Sequence, residues 1–143
     1  MTATATKITY TSTGGDLEEF HRLFDEALAR ARANAGRRHP FYIDHRPIES
    51  SREPIVDRSP IDTSLVLGTF DCAGPEHVEQ AVRSAKQAQR AWGRLPWQER
   101  VATMRKAAEL IRERKYDLAA IMALEVGKNR LEAMGDVEES ADL

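Results

Sequence analysis

Four prolines decide where this chain can and cannot form a long helix. They recur every six or seven residues, as Pro40, Pro47, Pro54 and Pro60. Proline lacks a backbone N–H and clashes with the preceding helical turn, so no long helix can run through this region. Short apolar stretches lie between and after the prolines, at 41–43, 55–56 and 65–70. We predict that they form short strands joined by turns.

Helical patterns lie on both sides of the proline-rich region. Apolar residues recur at intervals of three and four over 16–34, where a first helix is predicted. Further helices are predicted to begin near the following residues: Pro75, Trp97, Lys115 and Asn129. Their apolar stripes are predicted to face a core, with Val82, Met104 and Ile121 among the inward residues. Gly127 is well placed to end the third of these helices as a left-handed cap.

The composition excludes several classes of protein. With 143 residues, 41% hydrophobic and 31% charged, the chain can bury the core of one ordinary domain and stay soluble. No apolar run approaches the roughly 20 residues that span a bilayer. The first residues also lack the basic-then-apolar plan of a signal peptide. We therefore expect a cytoplasmic protein without a membrane span.

The charges are unevenly spread although the net charge is only −2. Basic residues are concentrated between 83 and 115, and acidic ones between 125 and 142. A net charge this small argues against a nucleic-acid-binding protein. We interpret both concentrations as solvated helix faces.

The two ends of the chain have different sequence patterns. Residues 1–15 are rich in threonine and end in Gly14-Gly15, so we expect a flexible arm before a single domain over 16–143. Leu143 lies in a helical pattern that no Gly or Pro closes. We therefore expect the domain to be incomplete and the chain to belong to a longer protein.

The sequence offers no convincing nucleophile or metal site. Cys72 is the single cysteine, and His77 is the nearest residue that could act as its base, so we interpret Cys72 as a small residue in a strand-to-helix loop. The histidines, His21, His39, His45 and His77, lack the close spacing of metal ligands. Gly-rich phosphate-binding motifs are also absent. We expect no catalytic, cofactor-binding or metal-binding residue in this chain, with one metal candidate discussed next.

Glu125 falls seven residues after Leu118, which places it on an apolar stripe with Ile121 and Met122. A carboxylate that faces a core is costly unless it is paired. Three interpretations stay open. Glu125 is a ligand for a structural cation, or it braces a neighbouring loop, or it lies at a helix end where the stripe reaches solvent.

Helical periodicity places Glu132, Asp136 and Glu139 together on one polar face of the last predicted helix. Such a face is either simply solvated, or it lines a polar cleft in a larger protein and meets an ammonium group. The residues by themselves do not choose between these two interpretations.

Four motifs, in order, resemble the aldehyde dehydrogenase family. The stretch 58–70 resembles the family's entry segment, although Ser59-Pro60 stands where many members have Asn-Pro. A helix then ends in Ala-x-x-Ala-x-x-x-Trp, matched by residues 85–92. An Arg-rich helix with Leu110-Ile111 and a Glu-x-Gly-Lys motif at 125–128 follow. The order and spacing together carry the resemblance, which covers about residues 16–143.

Within that family, residues 125–142 resemble the enzymes that oxidise L-glutamate γ-semialdehyde, also called pyrroline-carboxylate dehydrogenases. In those enzymes an acidic residue on this helix approaches the substrate's α-amino group, and Glu139 matches its position. A carboxylate there would pair with an ammonium group and hold the amino-acid end of the substrate. The early helix over 16–34 also resembles the longer N-termini of this subgroup.

The resemblance implies an α/β fold, of which this chain is the helix-rich N-terminal part. About four helices and short strands near 41–70 would precede the main dinucleotide-binding sheet, and 16–143 would be part of the NAD-binding domain. The implied reaction is NAD-dependent aldehyde oxidation through a catalytic Cys, a water-activating Glu and an oxyanion-binding Asn. All three lie downstream in the family, as do the main NAD contacts, so this chain by itself should not be catalytically competent. A homo-oligomer is implied for the full-length enzyme.

Two alternatives stay open. One is an aldehyde dehydrogenase of another substrate class, such as a succinate- or betaine-type enzyme. The other is a non-catalytic helical interaction module whose basic middle contacts an acidic partner.

Overall fold

A computed structural model of the protein describes residues 17–143, and the arm predicted over 1–15 lies outside them. The described chain folds into five helices and five short strands. In chain order these are α1 Leu17–Asn34, β1 Arg37–His39, β2 Phe41–Ile43, β3 Arg46–Ile48, β4 Ile55–Arg58, β5 Val66–Phe70, α2 Pro75–Trp92, α3 Trp97–Glu113, α4 Lys115–Val126 and α5 Arg130–Asp142. The helix-rich α/β character expected from the sequence is confirmed.

The strands form two small sheets. In the larger one β5 lies in the middle, parallel to β1 on one side and antiparallel to β4 on the other. The smaller sheet is a hairpin of β2 and β3, closed by Asp44 and His45, which both have positive φ. Two consecutive residues of positive φ match the right-handed twist of the flanking strands.

Two of the five strands were not predicted from the sequence. Strand β1 has the sequence Arg-Arg-His and β3 has Arg-Pro-Ile, and neither shows an apolar alternation. Strand β1 forms because β5 offers it backbone partners in parallel register, with Arg37 opposite Gly68. Pro47 is tolerated in β3 because a two-stranded sheet consists of edge strands.

The core lies where α1, α4 and α5 meet. Its buried apolar residues come from these three helices: Phe20, Phe24, Ala27, Ala119, Ala120, Ala123, Ala133, Met134 and Val137. Alanines supply five of the nine, so the helix backbones approach one another closely around the two phenylalanines and the methionine. Helix α3 also packs against α5.

The predicted inward stripes of α2, α3 and α4 were wrong for the described chain. Neither α2 nor α3 buries a residue, and Val82 and Met104 are exposed. Helix α4 turns its alanines inward and leaves Ile121 half exposed. Periodicity identifies an apolar stripe, but it does not reveal which neighbour covers that stripe, and α4 is apolar on almost every side.

Between Leu17 and Leu143, no helix combines the length and the apolarity that a membrane span requires.

Candidate functional site

Helix α5 starts from two local signals in the turn that follows α4. Gly127 ends α4 in the left-handed conformation, with φ of 75°, a region that glycine enters without steric cost. Asn129 then caps α5. Its side chain accepts a hydrogen bond from the Glu132 amide at 3.0 Å, and the Glu132 carboxylate accepts one from the Asn129 amide at 3.4 Å. This reciprocal capping box defines where α5 begins.

Helix α5 carries five acidic residues, and four of them have partners for their carboxylates. Glu132 closes the capping box, and Asp136 pairs with Lys128. Glu138 and Asp142 pair with basic residues of α4 and α3, at 3.1 and 2.7 Å respectively.

Glu139 differs from the other acids of α5. Its side chain is exposed, and its carboxylate has no hydrogen-bond or ion-pair partner among residues 17–143. Glu132 and Glu139 are exposed and Asp136 is half-buried, on the one side of α5 that the periodicity predicted. An exposed carboxylate without a partner is available to bind a cationic group.

Sequence reasoning missed the neighbour of Glu139. Glu138 is 5% exposed and Lys115 is 9% exposed, and the Lys115 Nζ lies 3.1 Å from the Glu138 Oε1. One signal was available, because Glu138 follows Met134 by four residues and precedes Ala141 by three, on the buried stripe of α5. Lys115 was assigned only to a helix start.

Glu125 lies at the far end of α4 and is exposed. It lines a groove of about 590 Å³ between α1, α4 and the larger sheet, where Asp57 also contributes to the wall. Arg30 of α1 and Asp117 of α4 line the same groove and form an ion pair at 2.6 Å. The exposure agrees with a helix end that reaches solvent, and a cation at Glu125 stays a prediction.

The two acidic candidates lie at opposite ends of α4. Lys115, at the first turn, contacts Glu138, so the neighbouring Glu139 belongs to that end. Glu125 comes ten residues after Lys115, which is about 15 Å along the helix axis. The structure therefore does not bring Glu125 and Glu139 into one site.

Cys72 and His77 have surroundings that suit a structural role. Cys72 is partly buried between β5 and α2. The His77 Nδ1 accepts a hydrogen bond from the Gly74 amide at 2.9 Å, and its ring packs edge-on against Phe41. In the described part of the chain no three His, Cys, Asp or Glu side chains gather as a metal site requires.

The described residues contain no complete strand–turn–helix–strand unit of the classical dinucleotide-binding type. All five strands precede α2 and no strand follows it between Pro75 and Leu143. A dinucleotide site of this class needs a strand, a Gly-rich turn, a helix and a second parallel strand. No contact with NAD is assigned to these residues.

Comparison with known proteins identifies the family. Residues 47–143 match the model of the aldehyde dehydrogenase family. The chain belongs to the aldehyde dehydrogenase family. A relative from Bacillus pumilus, 1-pyrroline-5-carboxylate dehydrogenase, is 34% identical over 87% of this chain and 24% of its own length.

Solved aldehyde dehydrogenase structures repeat the fold. Thermus 1-pyrroline-5-carboxylate dehydrogenase with bound NAD is 36% identical and covers 99% of this chain at a TM-score of 0.86. An NAD-dependent aldehyde dehydrogenase from Sinorhizobium meliloti is 33% identical and covers 78% at 0.71. The chain spans about a quarter of the length of these relatives, 27% and 23% respectively.

Proposed function

We propose that this chain is the N-terminal part of an NAD-dependent dehydrogenase that oxidises L-glutamate γ-semialdehyde to L-glutamate in proline catabolism. NAD accepts the hydride in such a reaction. The catalytic Cys, the water-activating Glu and the main NAD contacts belong to the downstream three quarters of the enzyme. Residues 16–143 belong to its NAD-binding domain and supply scaffold and one substrate contact, and these 143 residues by themselves are not catalytically competent.

The likeness to pyrroline-carboxylate dehydrogenases includes α1. The Thermus structure covers essentially the whole chain, whereas the Sinorhizobium enzyme covers little more than three quarters of it. Helix α1 supplies Phe20 and Phe24 to the core and pairs with α5 through Arg130, which binds Asp25 at 2.5 Å. The early helix is therefore integral to the domain. The names and coverage of the relatives, rather than α1 alone, favour this subgroup over the succinate- or betaine-type alternative.

The observation that carries the substrate assignment is the carboxylate of Glu139, which is exposed and has no partner among residues 17–143. The neighbouring acids are occupied by Lys115, Lys128 and Arg112, so Glu139 can offer its full charge to a ligand. A charge-assisted hydrogen bond to the α-ammonium group of the semialdehyde would hold one end of the substrate while the aldehyde end reacts.

A change of charge at Glu139 tests this assignment. In a catalytically complete enzyme that carries this chain, we expect Glu139→Gln to raise the KM for glutamate semialdehyde about tenfold, as loss of a charged hydrogen bond would. The KM for a simple aliphatic aldehyde should stay unchanged, because that substrate has no ammonium group.

Glu53→Gln is the matched control, since Glu53 is also exposed but lies in the loop before β4. An equal response of both aldehydes to Glu139→Gln would remove Glu139 from the pocket. Equal turnover of glutamate semialdehyde and aliphatic aldehydes by the unaltered enzyme would contradict the substrate class itself.

Oligomer formation by the complete enzyme is part of the same proposal. Strand β4 is an edge of the larger sheet, and its Ile55 and Val56 are exposed. Unpaired backbone groups at such an edge are suited to pairing with a second polypeptide segment.

A further inference from the structure

The ion pair between Lys115 and Glu138 is largely shielded from solvent. Both side chains are about nine-tenths buried, and they join the first residue of α4 to the last turns of α5. Two buried charges lose hydration energy, and their attraction recovers it only when the geometry is good. A pair of this kind contributes little net stability and is better suited to specifying one arrangement of the elements it joins.

The rest of the buried α4–α5 interface is apolar. Five of its eight buried apolar residues are small, namely Ala119, Ala120 and Ala123 from α4 and Ala133 and Ala141 from α5, and the other three are Leu124, Met134 and Val137. Methyl groups set how closely two helices approach, but they interlock less than long side chains do. Leu124, Met134 and Val137 restrict the rotation of α5 by their shape, and a directional contact between the helices adds to what they specify.

The rotation of α5 decides where Glu139 points. Consecutive residues of a helix are separated by about 100° around its axis. With Glu138 held inward on Lys115, Glu139 lies on the exposed side. A shift of one residue in the register of α5 would exchange the two positions and turn Glu139 toward the alanine-lined interface.

We propose that Lys115 and Glu138 are positioning residues, whose buried ion pair holds α5 in one rotation and thereby keeps the Glu139 carboxylate facing outward. The structural part of this proposal stands on the geometry of the two helices. Its consequence for substrate binding rests on the proposed function, in which Glu139 binds the substrate's ammonium group.

Thiol labelling at position 139 of the complete enzyme, followed by mass spectrometry of the labelled peptide, tests the structural part without any turnover. The background is Cys72→Ser, so that a cysteine introduced by Glu139→Cys is the single thiol of these 143 residues. With the native pair, we expect one fast labelling phase. With the apolar pair Lys115→Met and Glu138→Leu, the labelling rate should fall about fivefold or split into two phases, as an exposed site that becomes partly protected would show.

Three controls make the labelling result decisive. The exposed pair of α1 and α4, replaced as Arg30→Met and Asp117→Leu, should leave the rate at position 139 unchanged. A cysteine at buried Ala141 should stay protected in every folded variant. The reversed pair, Lys115→Glu with Glu138→Lys, should restore a single fast phase at 139. An unchanged rate with the apolar pair, or no recovery with the reversed pair, overturns the proposal.

Steady-state kinetics of the complete enzyme test the consequence. The apolar pair should raise the KM for glutamate semialdehyde about fivefold and leave kcat and the KM for an aliphatic aldehyde unchanged, since only the ammonium contact is weakened. If Glu139→Gln has no effect on that KM, the proposed function fails while the labelling experiment still decides the positioning role. If Glu139→Gln acts and the apolar pair does not, the positioning role fails.

Discussion

At the scale of single residues, a few positions depend on their own local chemistry and were correctly identified from the sequence. Gly127 was predicted as a left-handed cap, and the structure confirms it with φ of 75°. Asn129 was predicted as a helix start and is the N-cap of α5. Both predictions succeeded because a cap is decided by the residue itself and its neighbours within one turn.

Gly127→Ala should destabilise the fold through backbone conformation. A Cβ at this position would meet Pro60 at an ordinary distance of 3.5 Å, so the cost comes from the left-handed backbone, about 1–2 kcal/mol. Urea denaturation measures the free energy of unfolding. Gly127→Asn is the control, because Asn adopts this conformation more readily, and a loss as large as that of Ala would contradict the explanation.

The Asp62 carboxylate should make the turn before β5 sensitive to acid. Hydrogen bonds from the Ser64 hydroxyl and then from the Ser64 amide hold the pKa of the Asp62 carboxyl below its ordinary value. A carboxyl group whose pKa is lowered by folding stabilises the folded state. Its contribution is complete at pH values above the pKa of the unfolded chain, and it is lost as the pH falls through the lowered pKa of the folded state.

We expect Ser64→Ala to raise the pKa of Asp62 toward its ordinary value and to reduce the loss of stability on acidification. An NMR titration of the Asp62 carboxyl carbon in both proteins checks this. Thr63→Ala serves as the control, because the hydrogen bonds to the Asp62 side chain come from Ser64. An identical titration midpoint in the Ser64 variant would show that these hydrogen bonds have no such effect.

At the scale of elements, the sequence predicted the helix bounds well. It predicted poorly which faces of the helices are buried and which strands pair. The bounds of α1 and α2 agree with the prediction, because caps, prolines and periodicity all act within an element. Strands β1 and β3 were missed because they are polar and gain their structure from β5 and β2 across the sheet. The inward face of α4 was wrong for the same reason, since α1 and α5 choose the alanine face.

Ser59 is expected to stabilise the contact between β4 and α4. It is fully buried, and its hydroxyl donates to the Leu124 carbonyl at 2.6 Å, which ties the end of β4 to the last turn of α4. We expect Ser59→Ala to lower the free energy of unfolding by about 1–3 kcal/mol, because it leaves a buried carbonyl unsatisfied.

Ser140→Ala is the matched control for Ser59→Ala in thermal and urea denaturation. The Ser140 hydroxyl also donates to a backbone carbonyl, that of Asp136 at 2.8 Å, but it is exposed. Water can replace it there, so its loss should change stability by no more than about 0.5 kcal/mol. Equal effects of the two substitutions would show that burial is not the cause.

At the scale of the whole molecule, the described chain has a core on one side and uncovered helices on the other. Helices α2 and α3 bury no residue, and several of their large apolar side chains are exposed, among them Val78, Val82, Trp97 and Met104. Exposed apolar stripes of this extent favour association with other surfaces. The 143 residues by themselves should therefore bind hydrophobic dyes and aggregate.

Val82→Gln should reduce that aggregation without weakening the fold. Val82 is 48% exposed, so the free energy of unfolding should change by no more than about 0.5 kcal/mol. Light scattering and dye fluorescence of the isolated chain measure the effect. Val137→Gln is the control, because the same change in the buried core should destabilise the fold strongly. A chain without substitutions that neither scatters light nor binds the dye would contradict this prediction.

The sequence by itself determined the positions and types of the helices, their caps, the strands at β2, β4 and β5, and an ordered set of family motifs. These features depend on interactions within a few residues. Glu139 was identified as a candidate from its place in a motif and on a polar face.

Only the tertiary structure decided which helix faces are buried. It also decided that Glu139 has no partner within the described residues, while its neighbour Glu138 is held by Lys115. Glu138 and Lys115 are 23 positions apart in the sequence. No local pattern can pair residues at that distance, because their contact exists only once α4 and α5 have packed together.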